Sequence, residues 1–223
     1  MAASGRKRWN ASGDFEERRT EILRSLGEVL RERHISALRM QDIADRLGLT
    51  KGNLYYYFKS KQDLLFHCHM RSMEGSLKGL AQVQAMEATA AERVHALLML
   101  HIRNILDESY GAVLLTDLEN LSTKQRREYI PLRDKFEHGL RNLIHAGMLA
   151  GEFPDRNVTT IGFAILGGIN WMSKWFNPKG SETSAQIAAA FADFYVDGLR
   201  GGRQAGGNLQ PAQPGNEIAL NLA

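Results

Sequence analysis

The 223-residue chain contains a single cysteine, Cys68, so no disulfide can form within it. That excludes the disulfide-stapled secreted scaffolds and fits a reducing, cytoplasmic setting. Proline is also missing until Pro131, and alternating β-branched residues are scarce. Apolar residues instead recur at spacings of three and four, the helical period. The longest apolar run, Ile161 to Ile169, is too short and too glycine-rich to cross a bilayer. The start, MAASGRKRWN, is basic but has no apolar stretch behind it, unlike a signal peptide. A membrane partner is therefore not expected.

Catalytic signatures are equally scarce. There is no GxSxG elbow and no glycine loop of the kind that cradles phosphates. Cys68 stands between His67 and His69, but sequence neighbours on a helix point in different directions, which argues against a catalytic triad. A di-iron bundle needs a Glu-x-x-His from each of two helices, and only Glu92 to His95 has that spacing. His67, His69, His95, His101, His138 and His145 lack the tight spacing of a metal site. The reading is a protein that is not an enzyme and carries no cofactor or metal.

What is present is an uneven charge. Residues 1–63 hold 13 Lys/Arg against 9 Asp/Glu, while the remainder hold 15 against 16. A basic first quarter on a neutral body suits a polyanion-binding end, although a solvated surface can show the same imbalance.

The pattern predicts an all-α fold of about nine helices: a three-helix N-terminal head and a larger helical body. Residues 1–13 read as a loose arm, 14–60 as the head, 61–200 as the body and 201–223 as a disordered tail, with five glycines and two prolines. In the head, Phe15, Ile22, Leu23, Leu26, Val29 and Leu30 form one stripe on a helix from Asp14 to His34. A short helix from Met40 to Leu47 ends at Gly48, and Thr50 caps a third that reaches Phe58. Ser60 caps a fourth, Lys61 to Leu80. Further helices are expected over Ala91–Ser109, Ala112–Leu121 and Thr123–Met148, then up to Phe176 and over Glu182–Leu199.

The stretch LTKGNLYYYFKSK places Tyr55, Tyr56 and Tyr57 side by side. A helix turns about 100° per residue, so with Leu54 at zero Phe58 falls near 40° and Tyr56 near 200°. Leu54 and Phe58 define the buried side, Tyr56 faces out beside Gly52 and Asn53, and Tyr55 and Tyr57 take the flanks. A short helix, a glycine-led turn and a second helix with polar outward residues is the helix-turn-helix layout, whose second helix enters the DNA major groove. The competing explanation is a helical hairpin whose tyrosines pack on a neighbouring domain.

The run MQDIADRLGLTKGNLYYYFKSKQDLL, Met40 to Leu65, closely resembles the DNA-binding signature of the tetracycline-repressor (TetR) family of bacterial regulators. The good match covers residues 14–66. The resemblance implies that Lys51, Gly52, Asn53 and Tyr55 meet base edges or the nearby backbone, with Thr50 capping their helix. It places Tyr56, Tyr57 and Lys61 at phosphates and Gln41 at another DNA-facing position. Leu38 and Arg39 stand where the family often has a hydroxyl cap, which leaves Arg39 to reach phosphate instead. The implied partners are a palindromic double-stranded DNA operator, a second copy of the chain and a small-molecule effector.

For the dimer, VTTIGFAILGGINWMSKWF and SAQIAAAFADFYVDGL supply small residues at Gly162, Gly167 and Gly168 and candidate anchors at Ile169, Trp171, Trp175, Phe176, Ile187, Phe191, Phe194 and Tyr195. Intramolecular core is the alternative use for both helices. The stretch NWMSKWFNPKG, with IAAAFADFYVDGLR after it, resembles a subgroup regulating fatty-acid, steroid or aromatic-acid breakdown, several members of which respond to acyl-CoA thioesters. An acyl slot would draw on Leu98, Ile105, Leu114, Leu118, Phe136, Leu140, Phe163 and Trp171. Arg133 is among the basic residues available for the phosphates. Plain core explains the apolar set equally well, and an efflux, metal or stress operon with another effector is the alternative role.

Overall fold

The computed structural model describes residues 15–32, 38–107 and 121–201. The expected arm over 1–13, the helix over Ala112–Leu121 with Leu114 and Leu118, and the tail after Gly201 lie outside them. Among the described residues there are eight helices and no strand. They are α1 (Phe15–Glu32), α2 (Met40–Arg46), α3 (Lys51–Tyr57) and α4 (Lys61–Gln84), then α5 (Ala90–Asp107), α6 (Thr123–Leu149), α7 (Val158–Trp175) and α8 (Ser184–Leu199).

Two hydrophobic cores form. The first gathers Ile22, Leu23 and Leu26 of α1, Met40, Ile43 and Ala44 of α2, and Leu54 and Phe58 at α3. Leu64, Leu65 and Cys68 complete it from the first two turns of α4. The head's core thus reaches past residue 60. Phe15, read as part of the α1 stripe, is instead partly exposed and lies against the rings of Tyr56 and Tyr57. Arg19 fastens α1 to α4: its guanidinium meets the His67 ring nitrogen and lies over the Phe58 ring.

Capping sets the helix starts. Thr50 Oγ1 accepts the Asn53 N–H at 3.1 Å and Ser60 Oγ accepts that of Asp63 at 3.0 Å. The Arg39 side chain has no acceptor atom to offer at the start of α2. There the Asp42 carboxylate accepts the Arg39 N–H at 2.8 Å, half of a capping box. Between α2 and α3 the Leu49 N–H reaches the Ala44 carbonyl at 2.8 Å and the Gly48 N–H reaches Asp45 at 3.2 Å. This is a Schellman turn, and Gly48 supplies its left-handed residue at φ +66°.

The second core holds the body. Helix α5 runs through it, packed against α4, α6, α7 and α8. Its buried residues Val94, Leu97, Leu98, His101, Ile102 and Ile105 follow the 3–4 spacing of a single face. The only Glu-x-x-His has a structural use: Glu92 accepts the Thr89 N–H at 2.9 Å at the start of α5, and His95 pairs with Asp193 at 2.9 Å. Helix α4 belongs to both cores, since Phe66, Met73, Leu80 and Val83 lie in the second.

A Cβ at residue 48 would touch nothing, so any cost of filling it comes from backbone strain alone. Gly48→Ala should therefore lower stability by about 1–2 kcal/mol, read as a lower urea midpoint with an unchanged slope.

Candidate nucleic-acid interface and ligand cavity

Leu54 anchors α3 with no exposed surface, and Phe58 beside its end is equally buried. The 100° steps then distribute the tyrosines as the sequence predicts: Tyr56 is 71% exposed, Tyr55 is 43% exposed and Tyr57 is half-buried. Phe15 and Tyr57 brace Tyr56, with ring centroids 5.6 and 5.0 Å away. The Lys51 ammonium lies 5.8 Å from the Tyr55 ring centre. Lys51, Gly52 and Asn53 are exposed along the first turn, and nothing crowds Gly52 within 4 Å except Thr50 Oγ1 at that limit. A groove of about 250 Å³ between α1 and the start of α3 is lined by Arg18, Thr50, Asn53 and Tyr56, among others.

The flanking candidates differ in freedom. Arg39 and Gln41 are exposed, and the Gln41 amide donates to Asp45 at 2.7 Å. Lys61 is half-buried and donates to the Leu38 carbonyl at 3.1 Å, tying the start of α4 to the residue before α2.

In the body, α4, α5, α6 and α7 enclose a cavity of about 680 Å³, within the range of small-molecule sites. Of the residues expected to line an acyl slot, Arg133, Phe136 and Phe163 do so. Leu98, Ile105 and Leu140 are corrected to plain core: each turns into the packing between helices, with 1% or less of its surface exposed. Trp171 is 61% exposed and off the cavity wall. Sequence reasoning missed the polar lining, which includes His69, Ser72, Ser76, His101 and Tyr129. Its signal was present on α4, where His69, Ser72 and Ser76 repeat at helical spacing.

These groups are organised. Ser76 Oγ lies 2.9 Å from His101 Nδ1 and 3.1 Å from the Ser72 carbonyl, and Asn104 Nδ2 donates to both Ser72 O and Ser76 Oγ. His101 lies against Phe136, centroids 4.3 Å apart, and His69 against Tyr129 at 5.2 Å. Burial pushes both imidazoles down to about 4, so both are neutral at pH 7. At the rim the arginines are matched by carboxylates: Arg133 bonds Asp134 at 2.9 Å, and Arg141 pairs with Glu137 and donates to Thr159. Among the described residues, no three His, Cys, Asp or Glu side chains group to hold a metal ion.

The last two helices carry an aromatic surface. Trp175, Phe191, Tyr195 and Phe194 adjoin in series, with centroids 5.7–6.1 Å apart, and Phe194 is 72% exposed. Ile169 is corrected: it has no exposed surface and belongs to the body core, so it is not available to a partner. Gly162 and Gly168 also serve the interior, since a Cβ there would meet Arg141 and Tyr195 of the same chain.

Two family models match the chain. Residues 22–68 match the bacterial regulatory proteins, tetR family, and residues 87–199 match the tetracyclin repressor-like C-terminal domain. The HTH-type transcriptional repressor KstR2 of Rhodococcus jostii is 26% identical over 195 residues, covering 82% of this chain and 91% of that protein. The TetR family regulator PfmR of Thermus thermophilus superposes with a TM-score of 0.72 at 28% identity, over 80% of this chain and 98% of that one. AibR, solved with isovaleryl coenzyme A and operator DNA, has a TM-score of 0.69 at 25% identity, over 82% of this chain and 97% of that one. No helix among the described residues is long and apolar enough to cross a membrane.

Two measurements follow from this geometry. The unfolded chain protonates its histidines near pH 6.5, whereas folded His69 and His101 wait until about 4. Unfolding therefore takes up protons in that window, and stability falls as pH drops from about 6.5 to about 4. Urea midpoints across it should decline, and His101→Phe should remove up to ~1.4 kcal/mol per pH unit from the slope. Gly52→Ala, on an open helical position, should keep or raise the melting temperature, with a gain of up to ~1 kcal/mol. If α3 meets DNA as the sequence resemblance implies, the same variant should weaken DNA binding in an anisotropy titration, because a methyl group would stand on the open surface at Gly52.

Proposed function

The chain belongs to the tetR family of bacterial regulatory proteins, and from that premise we propose that it is a homodimeric transcriptional repressor released from a palindromic operator by a small effector. The observation that carries this reading is the continuity of α4. One 24-residue helix completes the head's core with Leu64, Leu65 and Cys68 and then lines the cavity with His69, Ser72, Met73 and Ser76. Any ligand that shifts α4 moves the reading head with it.

On the operator, α3 lies in the major groove with Lys51, Asn53 and Tyr55 toward base edges and Thr50 capping the helix. Arg39, Gln41, Tyr56, Tyr57 and Lys61 position it on the phosphate backbone. The second copy docks on the face where Trp175 and Phe194 are exposed, with half-buried Phe191 and Tyr195 behind them; an exposed apolar patch is of the kind that marks interfaces. A two-fold interface presents the same patch from both copies and sets the two α3 helices at a fixed spacing.

The effector is read as an acyl-CoA thioester, a reading supported by the likeness to AibR, which was solved with isovaleryl coenzyme A. The cavity suits the acyl group. The phosphates belong outside it, since Arg133 and Arg141 are already paired with carboxylates. Exposed Lys124 and Arg127, on the first turns of α6, supply positive charge for them.

Fluorescence anisotropy on DNA from upstream of the gene, at two salt concentrations, tests the reading. Tight binding that weakens steeply with salt and is relieved by isovaleryl-CoA or a longer thioester is the expected result. Phe194→Glu should yield monomers by light scattering and lose at least ~10-fold in operator affinity. Binding that no thioester relieves would assign the protein to an efflux or stress operon with another effector. Weak binding equal on every sequence would overturn the regulator itself.

A further inference from the structure

The inner wall of the cavity is polar in a way that a saturated chain does not need. Helix α4 contributes His69, Ser72 and Ser76, α5 contributes His101 and α6 contributes Tyr129, all of them buried. Ser76 Oγ and His101 Nδ1 are already bonded to each other, which leaves the second imidazole nitrogen of His101 as bonding capacity that a hydrocarbon chain cannot use. Met73, Phe136, Leu166 and Phe163 supply the apolar remainder of the lining.

We propose that the part of the effector entering this cavity carries an uncharged oxygen, a ketone or a hydroxyl, which docks on the wall formed by His69, Ser72, Ser76 and His101. The proposal rests on reading the cavity as the effector site. Its chemistry follows from the charge balance. The rim arginines are matched by Asp134 and Glu137, so a ligand carboxylate would have to break an existing pair. The buried imidazoles are neutral at pH 7.

The Ser76–His101 pair also suits either oxygen. Ser76 has one hydroxyl proton and two acceptors within reach, the Ser72 carbonyl and His101 Nδ1. If the proton goes to Ser72, His101 donates from Nδ1 and its Nε2 becomes an acceptor for a ligand hydroxyl. If the proton goes to His101 Nδ1, Nε2 carries hydrogen and donates to a ketone.

The test compares isosteres on the full-length protein, with histidine labelled by ¹⁵N: 7-oxooctanoyl-CoA against octanoyl-CoA, and cyclohexanone against methylenecyclohexane. The oxygenated member of each pair should bind about tenfold tighter and shift the ring nitrogens of His69 or His101. Ser76→Ala and His101→Phe should each shrink that preference, and 8-hydroxyoctanoyl-CoA separates hydroxyl from ketone. The wild-type comparison stands even if a variant fails to fold. Equal binding within the pairs, unmoved histidine signals or no binding by any of the compounds would overturn the proposal. Equal release of DNA by both octanoyl thioesters would overturn it while leaving the thioester reading intact. Preference for cyclohexanone alone, with no thioester bound, would keep the polar site and remove coenzyme A from the function.

Discussion

The structure depends on the sharing of one helix between two cores. A helix of the length of α4 spans about 36 Å at 1.5 Å per residue. Leu64, Leu65 and Cys68 of its first two turns are locked into the head, while Phe66, Met73, Leu80 and Val83 are locked into the body. Neither end can shift without the other responding, because close-packed interiors move between discrete arrangements and do not deform continuously. Helix α5 reinforces this: the Asn104 side chain bonds both Ser72 and Ser76, so the cavity segment of α4 is tied to the centre of the body.

The head was legible in the sequence because its information is local. Leu54 and Phe58 mark the inward side of a seven-residue helix, and rotation alone then assigns Tyr55, Tyr56 and Tyr57 to three directions. Gly48 and Thr50 announce their turn and cap by residue type. The body was legible only as a set of helices with boundaries. Leu98, Ile105 and Leu140 share the periodicity of a pocket wall, but periodicity does not say whether a buried face meets a neighbouring helix or a hollow. Ile169 failed for a related reason. Helix α7 is apolar on more than one side, and only packing against the rest of the body decides that Ile169 goes in while Trp171 stays out. Its glycines looked like sites of subunit approach, but Gly162 and Gly168 make room for Arg141 and Tyr195 of the same chain.

Polar residues in the cavity bear on how a signal would travel. A ligand shifts an equilibrium only through a difference in its affinity for the two states. In a switching protein of this build, contacts to α4 discriminate the two states most directly, because α4 enters both cores. The polar stripe begins at His69, next in sequence to Cys68 of the head's core. Hydrogen bonds are more direction-dependent than apolar contacts, so a polar group held there discriminates small displacements of the helix better than a hydrocarbon of equal size. Three of the four buried histidines and serines, His69, Ser72 and Ser76, lie on α4, and the fourth, His101, bonds Ser76 from α5, so the polar wall is built around the one helix that enters both cores.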